Sequence, residues 1–358
     1  MAHLIDPSLY GALAVVGLAL CLVLAGWVYA YTVGAGVVVL ALHPSESPVA
    51  PRQVGPYTLA DKIGEGAMGE VYRAWNAATG GWRAVKLLPR DASERDRERF
   101  AKEARLGAEL HHENAVSIYD SGQGRDGTCY YAMELLDGVT LRELVEREGP
   151  QAPERVVRIL LQLCAALEET HGKGLVHRDI KPENVLMARD GLCKLIDFGL
   201  AERVGEVGQA GDMVVGTPLY ISPEAIVAPA TVGARSDLYG LGAVAYFLLR
   251  GAPVFDGRSV IEVCGHHLHT APERLSALLG DAIPRDLEQI VMQCLAKNAA
   301  ERPSSAAELA RSLVACERAL AAEAQPAPRC LAYLRAQRAF ERLDAVLAAE
   351  AQTCRAAA

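Results

Sequence analysis

The chain has 358 residues and a net charge of −8 at pH 7. That length leaves room for about two or three domains with a complete hydrophobic core. The acidic balance argues against nucleic-acid binding as a main role, since such proteins carry a basic surface. The nine cysteines form no C-x-x-C pair, which argues against a zinc module or a disulfide framework and fits a reducing cytosol.

A long apolar stretch lies near the N-terminus. No residue from Pro7 to Leu42 is charged, and the mean hydropathy of the chain is +0.12. As one helix these roughly 36 residues would span about 54 Å, more than the ~30 Å of membrane hydrocarbon. A secretory signal peptide would begin with basic residues and have a shorter apolar core. We therefore predict a transmembrane segment at residues 9–42, after a short tail at residues 1–8.

The number of membrane passes stays open at this point. A single pass would run from about Leu9 to about Tyr31, whereas a hairpin turning near Gly26 would leave about 17 residues for each span, which is the lower limit. No basic residue precedes the segment, but Arg52 and Lys62 follow it. This asymmetry favours a cytoplasmic C-terminal side. We prefer the single pass, at the cell membrane, with the main domain in the cytoplasm.

Residues 43–56 contain four prolines and are predicted to form an extended linker. Short β-rich runs bounded by turn residues follow, and they predict strands at residues 57–63, 69–75, 83–88, 116–122 and 129–135. Ser93, with Asp96 three positions later, is typical of a helix start, and this helix should end near Glu109.

From residue 137 the hydrophobic pattern becomes helical, and it predicts helices at residues 140–148, 152–173, 235–250, 259–269, 284–295 and 304–322. A sheet followed by helices predicts two lobes, residues 57–136 and 137–316, with a cleft between them. In the C-terminal extension, 317–358, a further helix is predicted at 329–350. It either packs on the domain or binds a second copy or another partner, and packing is the commoner role of an amphipathic helix.

The strongest chemical signal is the run at residues 177–184, His-Arg-Asp-Ile-Lys-Pro-Glu-Asn, followed by Asp-Phe-Gly at residues 197–199. Asp179 is suited to orient a hydroxyl nucleophile. Asn184 and Asp197 are suited to hold divalent cations against a triphosphate. Together these motifs form the protein-kinase signature.

Residues 57–316 resemble the eukaryotic-like Ser/Thr protein kinases found in many bacteria. The resemblance implies an α+β, two-lobed kinase fold, with an N-terminal antiparallel sheet plus a helix and a mostly helical C-terminal lobe. It also implies ATP and Mg²⁺, or Mn²⁺, as cofactors. Lys181, two residues after Asp179, is typical of Ser/Thr rather than Tyr kinases.

The resemblance assigns roles to individual residues. Asp179 would be the base, Lys181 would stabilise charge on the transferred phosphoryl group, and Asn184 and Asp197 would bind metal. Lys86 would hold the α- and β-phosphates and pair with an acid on the next helix, for which Glu103 is the preferred residue. The full nucleotide-binding set is Ile63, Gly64, Glu65, Gly66, Ala67, Met68, Gly69, Val71, Ala84, Lys86, Glu103, Met133, Glu134, Leu136, Asn184 and Asp197.

Residues 216–224, Gly-Thr-Pro-Leu-Tyr-Ile-Ser-Pro-Glu, resemble a loop on which the family docks polypeptide substrates. In this resemblance Thr217 would bond the catalytic loop, and Glu224 would pair with a buried arginine, here Arg302. Asp237, at the start of a hydrophobic helix, would brace the catalytic loop.

One departure from the family concerns Arg178, which in such kinases usually gathers a phosphate on the activation loop. Residues 200–216 contain no Ser, Thr or Tyr. We hypothesise that Glu206 or Asp212 supplies a standing negative charge in place of the phosphate. The alternative is a loop that stays mobile, with low basal activity.

These patterns predict a membrane-anchored kinase for signal transduction, which transfers the γ-phosphoryl group of Mg-ATP to Ser/Thr hydroxyls of proteins. Its expected partners are protein substrates and, through the transmembrane segment or the C-terminal helix, a second copy of the chain; no nucleic acid is expected. Two alternatives are a pseudokinase that signals by conformation and a small-molecule kinase. The docking loop argues against the second, because it receives polypeptide.

Overall fold

The structure is a computed structural model that describes residues 52–66, 69–203 and 218–323. The predicted transmembrane segment at residues 9–42 and the predicted helix at residues 329–350 lie outside these ranges. Within the described ranges no helix is long and apolar enough to cross a membrane.

The first lobe is built on a six-stranded antiparallel sheet with strand order β1-β2-β3-β4-β6-β5. Its strands are β1 (Gln53–Val54), β2 (Tyr57–Gly66), β3 (Gly69–Asn76), β4 (Gly81–Leu87), β5 (Ile118–Gln123) and β6 (Cys129–Met133). Alternating apolar side chains meet on one face, where Tyr57 packs edge-on against Tyr130 at 5.6 Å between ring centroids. The five longer strands, β2 to β6, agree with the predicted ones to within a few residues, because each has enough residues for the alternation to be read.

Strand β1 corrects the predicted linker. Gln53 and Val54 were assigned to the extended segment at 43–56, but they pair with Thr58 and Tyr57 of β2. Val54 has no exposed surface and belongs to the apolar cluster under the sheet. A two-residue strand beside prolines carries no period that a sequence pattern could reveal.

Helix α1 (Glu94–Ala108) lies after β4 and begins at the predicted cap. The Ser93 side chain accepts a hydrogen bond from the Asp96 backbone N–H at 3.2 Å, which satisfies one of the free donors of the first turn. Phe100 and Ala104 pack with Leu88 and Tyr131 in a small buried cluster. This packing fixes the side of α1 that carries Glu103.

The second lobe is mostly helical. Its helices are α2 (Leu141–Glu148), α3 (Pro153–Gly172), α4 (Pro223–Val227), α5 (Ala234–Arg250), α6 (Val260–His269), α7 (Leu275–Leu279), α8 (Arg285–Cys294) and α9 (Ala306–Glu323). Helix α5 is buried from Ser236 to Leu249, so it forms the centre of the lobe. The predicted helices recur, because their apolar stripes extend over several turns.

Short strands that the sequence pattern did not predict place the catalytic segments. A three-stranded sheet of order β10-β9-β7 contains β7 (Gly138–Thr140), β9 (Val185–Ala188) and β10 (Cys193–Leu195). A two-stranded sheet pairs β8 (Leu175–Val176) with β11 (Glu202–Arg203). The residues between β8 and β9, and those between β10 and β11, are the two motif-bearing loops.

Helix α9 crosses the boundary predicted at residue 316. Cys316 and Leu320 are buried in the main hydrophobic core of the second lobe, so the first residues of the predicted extension belong to the folded domain. The predicted α+β architecture of two lobes, a sheet with one helix and a helical lobe, is confirmed.

Candidate active site

The glycine-rich turn connects β2 to β3. Gly64 pairs with Val71 and Gly66 with Gly69 in the strand register, while Ala67 and Met68 lie outside the described residues. Gly69 has φ +132°, and a Cβ there would lie 1.9 Å from the carbonyl oxygen of Leu87. Only glycine fits, because the backbone conformation and the space both exclude a side chain.

Strand β4 and helix α1 bring a lysine and a glutamate together. Lys86 Nζ donates to Glu103 Oε1 at 2.7 Å, with the two side chains 10% and 1% exposed. The Tyr131 hydroxyl donates to the same oxygen at 2.5 Å. Burial raises the pKa of Glu103, and Lys86 opposes that rise. The predicted pair is therefore formed, and Tyr131 supports it without any signal in the sequence motif.

The catalytic loop after β8 is held by Asp237 of helix α5. The two carboxylate oxygens of Asp237 accept from the backbone N–H groups of His177 at 2.9 Å and Arg178 at 2.8 Å. His171 Nε2 lies 2.8 Å from the same side chain. Burial alone would raise the pKa of Asp237, but the bonds from the His171 side chain and from the His177 backbone N–H hold it below its usual value. Asp237 thus remains an acceptor for both N–H groups, as the resemblance implied.

Two predicted catalytic residues, Lys181 and Asn184, contact a third, Asp179. Lys181 Nζ donates to Asp179 Oδ2 at 2.5 Å, and Asn184 Nδ2 donates to the same oxygen at 2.9 Å. Asn184 also bonds the Asp179 backbone carbonyl at 2.9 Å. These contacts orient the carboxylate of Asp179, and they use the amide nitrogen of Asn184 rather than the amide oxygen that the prediction assigns to a cation.

Asp197 lies on the neighbouring loop, which a bond from the Ile196 N–H to the Asn184 carbonyl at 3.0 Å joins to the catalytic loop. Burial would raise the pKa of Asp197, but Lys86 and the Gly199 N–H, 2.8 Å from Oδ1, lower it. Asp197 therefore stays ionised. A Cβ on Gly199 would lie 3.0 Å from Asp197 Oδ1, so glycine permits this close turn.

Behind Asp197, the buried His177 ring packs on Phe198 with 4.8 Å between centroids. His177 has no exposed surface, and burial lowers its pKa. A neutral imidazole in this position serves packing, and it fixes the two loops against each other.

The charges of this region fit a nucleotide with a divalent cation. Glu103 and Asp197 both interact with the ammonium group of Lys86, and Asp197 also interacts with that of Lys181. Glu103 Oε2 is buried with no hydrogen-bond partner in the described parts of the chain. The carboxylate of Asp197 and the amide oxygen of Asn184 are hard donors of the kind that Mg²⁺ prefers. Across the described ranges no group of three or more His, Cys, Asp or Glu could hold a metal, so phosphate oxygens would have to complete the coordination.

The predicted hinge is the segment after β6. Ala84 pairs with Met133 in the register, and Leu136 packs on the main core. Glu134 Oε2 accepts a hydrogen bond from Lys194 Nζ at 2.9 Å, so Glu134 would contact a base through its backbone groups. Two other predicted nucleotide-binding residues, Ile63 and Glu65, lie on β2. Ile63 is 49% exposed, and the side chain of Glu65 is 70% exposed.

The predicted docking loop is described from Pro218, and Thr217 lies outside the described residues. Glu224 on α4 forms the predicted pair with Arg302, with Oε1 and Oε2 at 2.7 and 2.8 Å from the two terminal nitrogens. Arg302 is completely buried at its side chain. This two-bond pair ties the end of the docking loop to the segment before α9.

Arg178 has a partner that sequence reasoning missed. Its Nη1 donates to Glu202 Oε2 on β11, and its Nη2 donates to the Pro229 carbonyl at 2.9 Å. The predicted partners, Glu206 and Asp212, lie outside the described residues. The only signal for Glu202 was its place as the first acid after the Asp-Phe-Gly motif, which is too general to single out a residue.

Comparison with known proteins agrees with this geometry. A family model described as the protein kinase domain matches residues 57–314. The serine/threonine-protein kinase PknB of Mycolicibacterium smegmatis is 37% identical over 284 residues, which is 77% of this chain and 44% of the relative. PknB of Mycobacterium tuberculosis is 37% identical over 267 residues, 72% of this chain and 42% of the relative. A probable serine/threonine-protein kinase of Corynebacterium efficiens is 36% identical over 269 residues, 72% and 40%.

The chain therefore belongs to the protein kinase family, and its relatives include bacterial kinases of the eukaryotic-like Ser/Thr type. It spans less than half the length of these relatives. The family uses ATP and a divalent metal in general.

Proposed function

We propose that this protein is a Ser/Thr protein kinase that transfers the γ-phosphoryl group of Mg-ATP to protein hydroxyls. The observation that carries the proposal is the convergence of Lys181 and Asn184 on one carboxylate oxygen of Asp179. A carboxylate held between an ammonium and an amide has a defined direction, as a group that receives a hydroxyl proton needs.

In the proposed reaction the substrate hydroxyl oxygen forms a bond to the γ-phosphorus. The bond from that phosphorus to the bridging oxygen breaks, ADP leaves with the electron pair, and the hydroxyl proton passes to Asp179. Lys181 is within reach of Asp179 and stabilises negative charge on the transferred group. A magnesium ion bound by Asn184 and Asp197 would neutralise charge on the phosphates. Lys86, which Glu103 positions, contacts the α- and β-phosphates.

The test uses the full chain with γ-labelled ATP and a generic protein substrate, followed by phospho-amino-acid analysis. The Asp179→Asn variant should lose transfer by at least about a hundredfold while it retains binding of a fluorescent ATP analogue. Asp190→Asn is the matched control, because Asp190 is exposed and accepts a bond from the Leu192 N–H, which Asn can also accept. Transfer by Asp179→Asn at the wild-type rate would contradict the proposal and favour an ATP-binding scaffold.

The proposal includes an anchor in the cell membrane, with the kinase domain in the cytoplasm and a role in signal transduction. Its support is the absence of charge from Pro7 to Leu42 and the basic residues that follow. In cells, the full chain should stay in the membrane pellet after an alkaline carbonate wash. Release into the supernatant would refute the anchor and leave the phosphotransfer proposal intact. Crosslinking of the membrane-bound chain would test whether it forms the proposed homodimer.

A further inference from the structure

Glu202 lies where two functional elements meet. It is on β11, which pairs with β8 immediately before the catalytic loop. Its carboxylate accepts from Arg178 Nη1, and the side chains of Arg178 and Glu202 are 22% and 17% exposed. An ion pair with this little exposure is screened less by solvent than a surface pair is.

The same strand also reaches helix α1. The other carboxylate oxygen of Glu202 lies 3.7 Å from Lys102 Nζ. Next to it, Arg203 Nη2 donates to both carboxylate oxygens of Glu109, at 2.8 and 2.7 Å. Lys102 directly precedes Glu103 and Glu109 caps the end of α1. Strand β11 therefore joins the catalytic loop to the helix that positions Lys86.

The backbone of Arg178 needs such support. Its φ is +68°, a left-handed conformation that in the described residues only this non-glycine residue adopts. That conformation brings the Cβ of a residue with a side chain close to the following carbonyl oxygen, so surrounding contacts must maintain it. Asp237 holds the backbone N–H of Arg178, while Glu202 and the Pro229 carbonyl hold its guanidinium.

We propose that Glu202 is a positioning residue that holds Arg178 and helix α1 in the catalytic arrangement without a phosphate on the loop. A carboxylate supplied by the chain accepts the same bonds from a guanidinium that a phosphate would accept. The absence of Ser, Thr and Tyr from residues 200–216 agrees with this role. The inference rests on the proposed phosphotransfer function and states how that activity is regulated. The activity is constitutive, and it depends on the charge of Glu202.

The test starts from the full chain purified in detergent micelles, treated with phosphatase and checked for zero phosphate by intact mass. We expect the unphosphorylated wild type to transfer phosphate. Glu202→Gln should lower kcat by about tenfold with the KM for ATP changed by less than about twofold. Glu202→Asp, which keeps the charge, should recover part of the loss. The control variant is Glu148→Gln, which removes another glutamate–arginine ion pair. In that pair Glu148 Oε2 lies 2.6 Å from Arg155 Nη1 at the surface, and its loss should not change kcat.

Hydrogen–deuterium exchange provides a readout that does not depend on activity. In Glu202→Gln, exchange should increase in residues 94–109 and 175–181, and it should remain unchanged in helix α5, which shows that the core is intact. Unchanged exchange in both segments would overturn the proposal. If no form of the protein transfers phosphate, the proposed function fails, and the exchange result still decides the role of Glu202.

Three kinetic outcomes would also overturn the inference. One is a wild type that becomes inactive without phosphate and recovers when Thr217 is phosphorylated. The second is a Glu202→Gln variant as active as Glu148→Gln. The third is a loss of kcat in Glu206→Gln or Asp212→Asn that equals the loss in Glu202→Gln, because the charge would then come from the residues first predicted.

Discussion

Replacement of Glu224 by Gln should destabilise the protein through the charge that it leaves behind. The Arg302 side chain has no exposed surface and makes two bonds to Glu224. A Gln offers one acceptor and turns an amide NH₂ group toward the guanidinium. Removal of one partner from a buried ion pair costs about 3–5 kcal/mol. The backbone carbonyls of Ala296 and Arg235 still accept from Arg302, so we expect about 3 kcal/mol.

The effect should depend on pH. Burial alone would raise the pKa of Glu224, but the bonds from Arg302 and Ser236 bring it below its usual value of 4.5. A carboxyl whose pKa is lower in the folded state contributes stability above pH 4.5, and this contribution is lost as pH falls through the folded-state pKa. The difference in the free energy of unfolding between wild type and Glu224→Gln should therefore have its largest value at pH 7 and become smaller below pH 4.5.

Thermal unfolding of the full chain, followed by circular dichroism, provides the assay. About 3 kcal/mol corresponds to a fall in Tm of roughly 6–12 °C for a domain of this size. Glu148→Gln, whose side chain is 52% exposed in its pair with Arg155, should cost no more than about 1 kcal/mol. The double variant Glu224→Gln/Arg302→Met should be more stable than Glu224→Gln alone, since it removes the unpaired charge. A Glu224→Gln variant as stable as Glu148→Gln would refute the reasoning.

Two further predictions concern the nucleotide side of the site. Glu103→Gln should lower kcat by about a hundredfold, because Lys86 loses the charge that positions it. Steady-state kinetics should compare this variant with Tyr131→Phe, which removes a neutral donor to Glu103 and so separates the effect of charge from that of packing. Equal losses of kcat in the two variants would contradict the prediction. Gly69→Ala should raise the KM for ATP and lower Tm, because its Cβ would collide with the Leu87 carbonyl. Gly80→Ala is its control: Gly80 also has positive φ but has nothing within 4 Å of a Cβ, so it should cost only the roughly 1–2 kcal/mol of backbone strain. Equal effects on KM in the two glycine variants would show that the collision does not matter.

The long elements were predictable because each carries a sequence pattern long enough to be recognised in its own residues. Helix α1 begins at Ser93, whose side chain caps it locally, and helix α5 is apolar over several turns. The short strands β1, β8 and β11 were not predictable. Each has two residues, and each exists because a partner distant in the chain accepts and donates its backbone bonds.

The same distinction applies to the candidate site. The sequence by itself indicated the proposed reaction class, because Asp179, Lys181 and Asn184 are spaced within one loop and the Asp-Phe-Gly motif follows at short range. It also supported the pairings Lys86–Glu103 and Glu224–Arg302, through the family resemblance.

Only the tertiary structure decided what holds Arg178. From the sequence we chose Glu206 or Asp212 and passed over Glu202, because the position of an acid in the sequence carries no information about the partner it will face. The choice of Glu202 depends on the pairing of β11 with β8 and on the position of helix α1 beside that strand. The local pattern therefore indicated the proposed chemistry, whereas the packing of distant segments decided which carboxylate contacts Arg178.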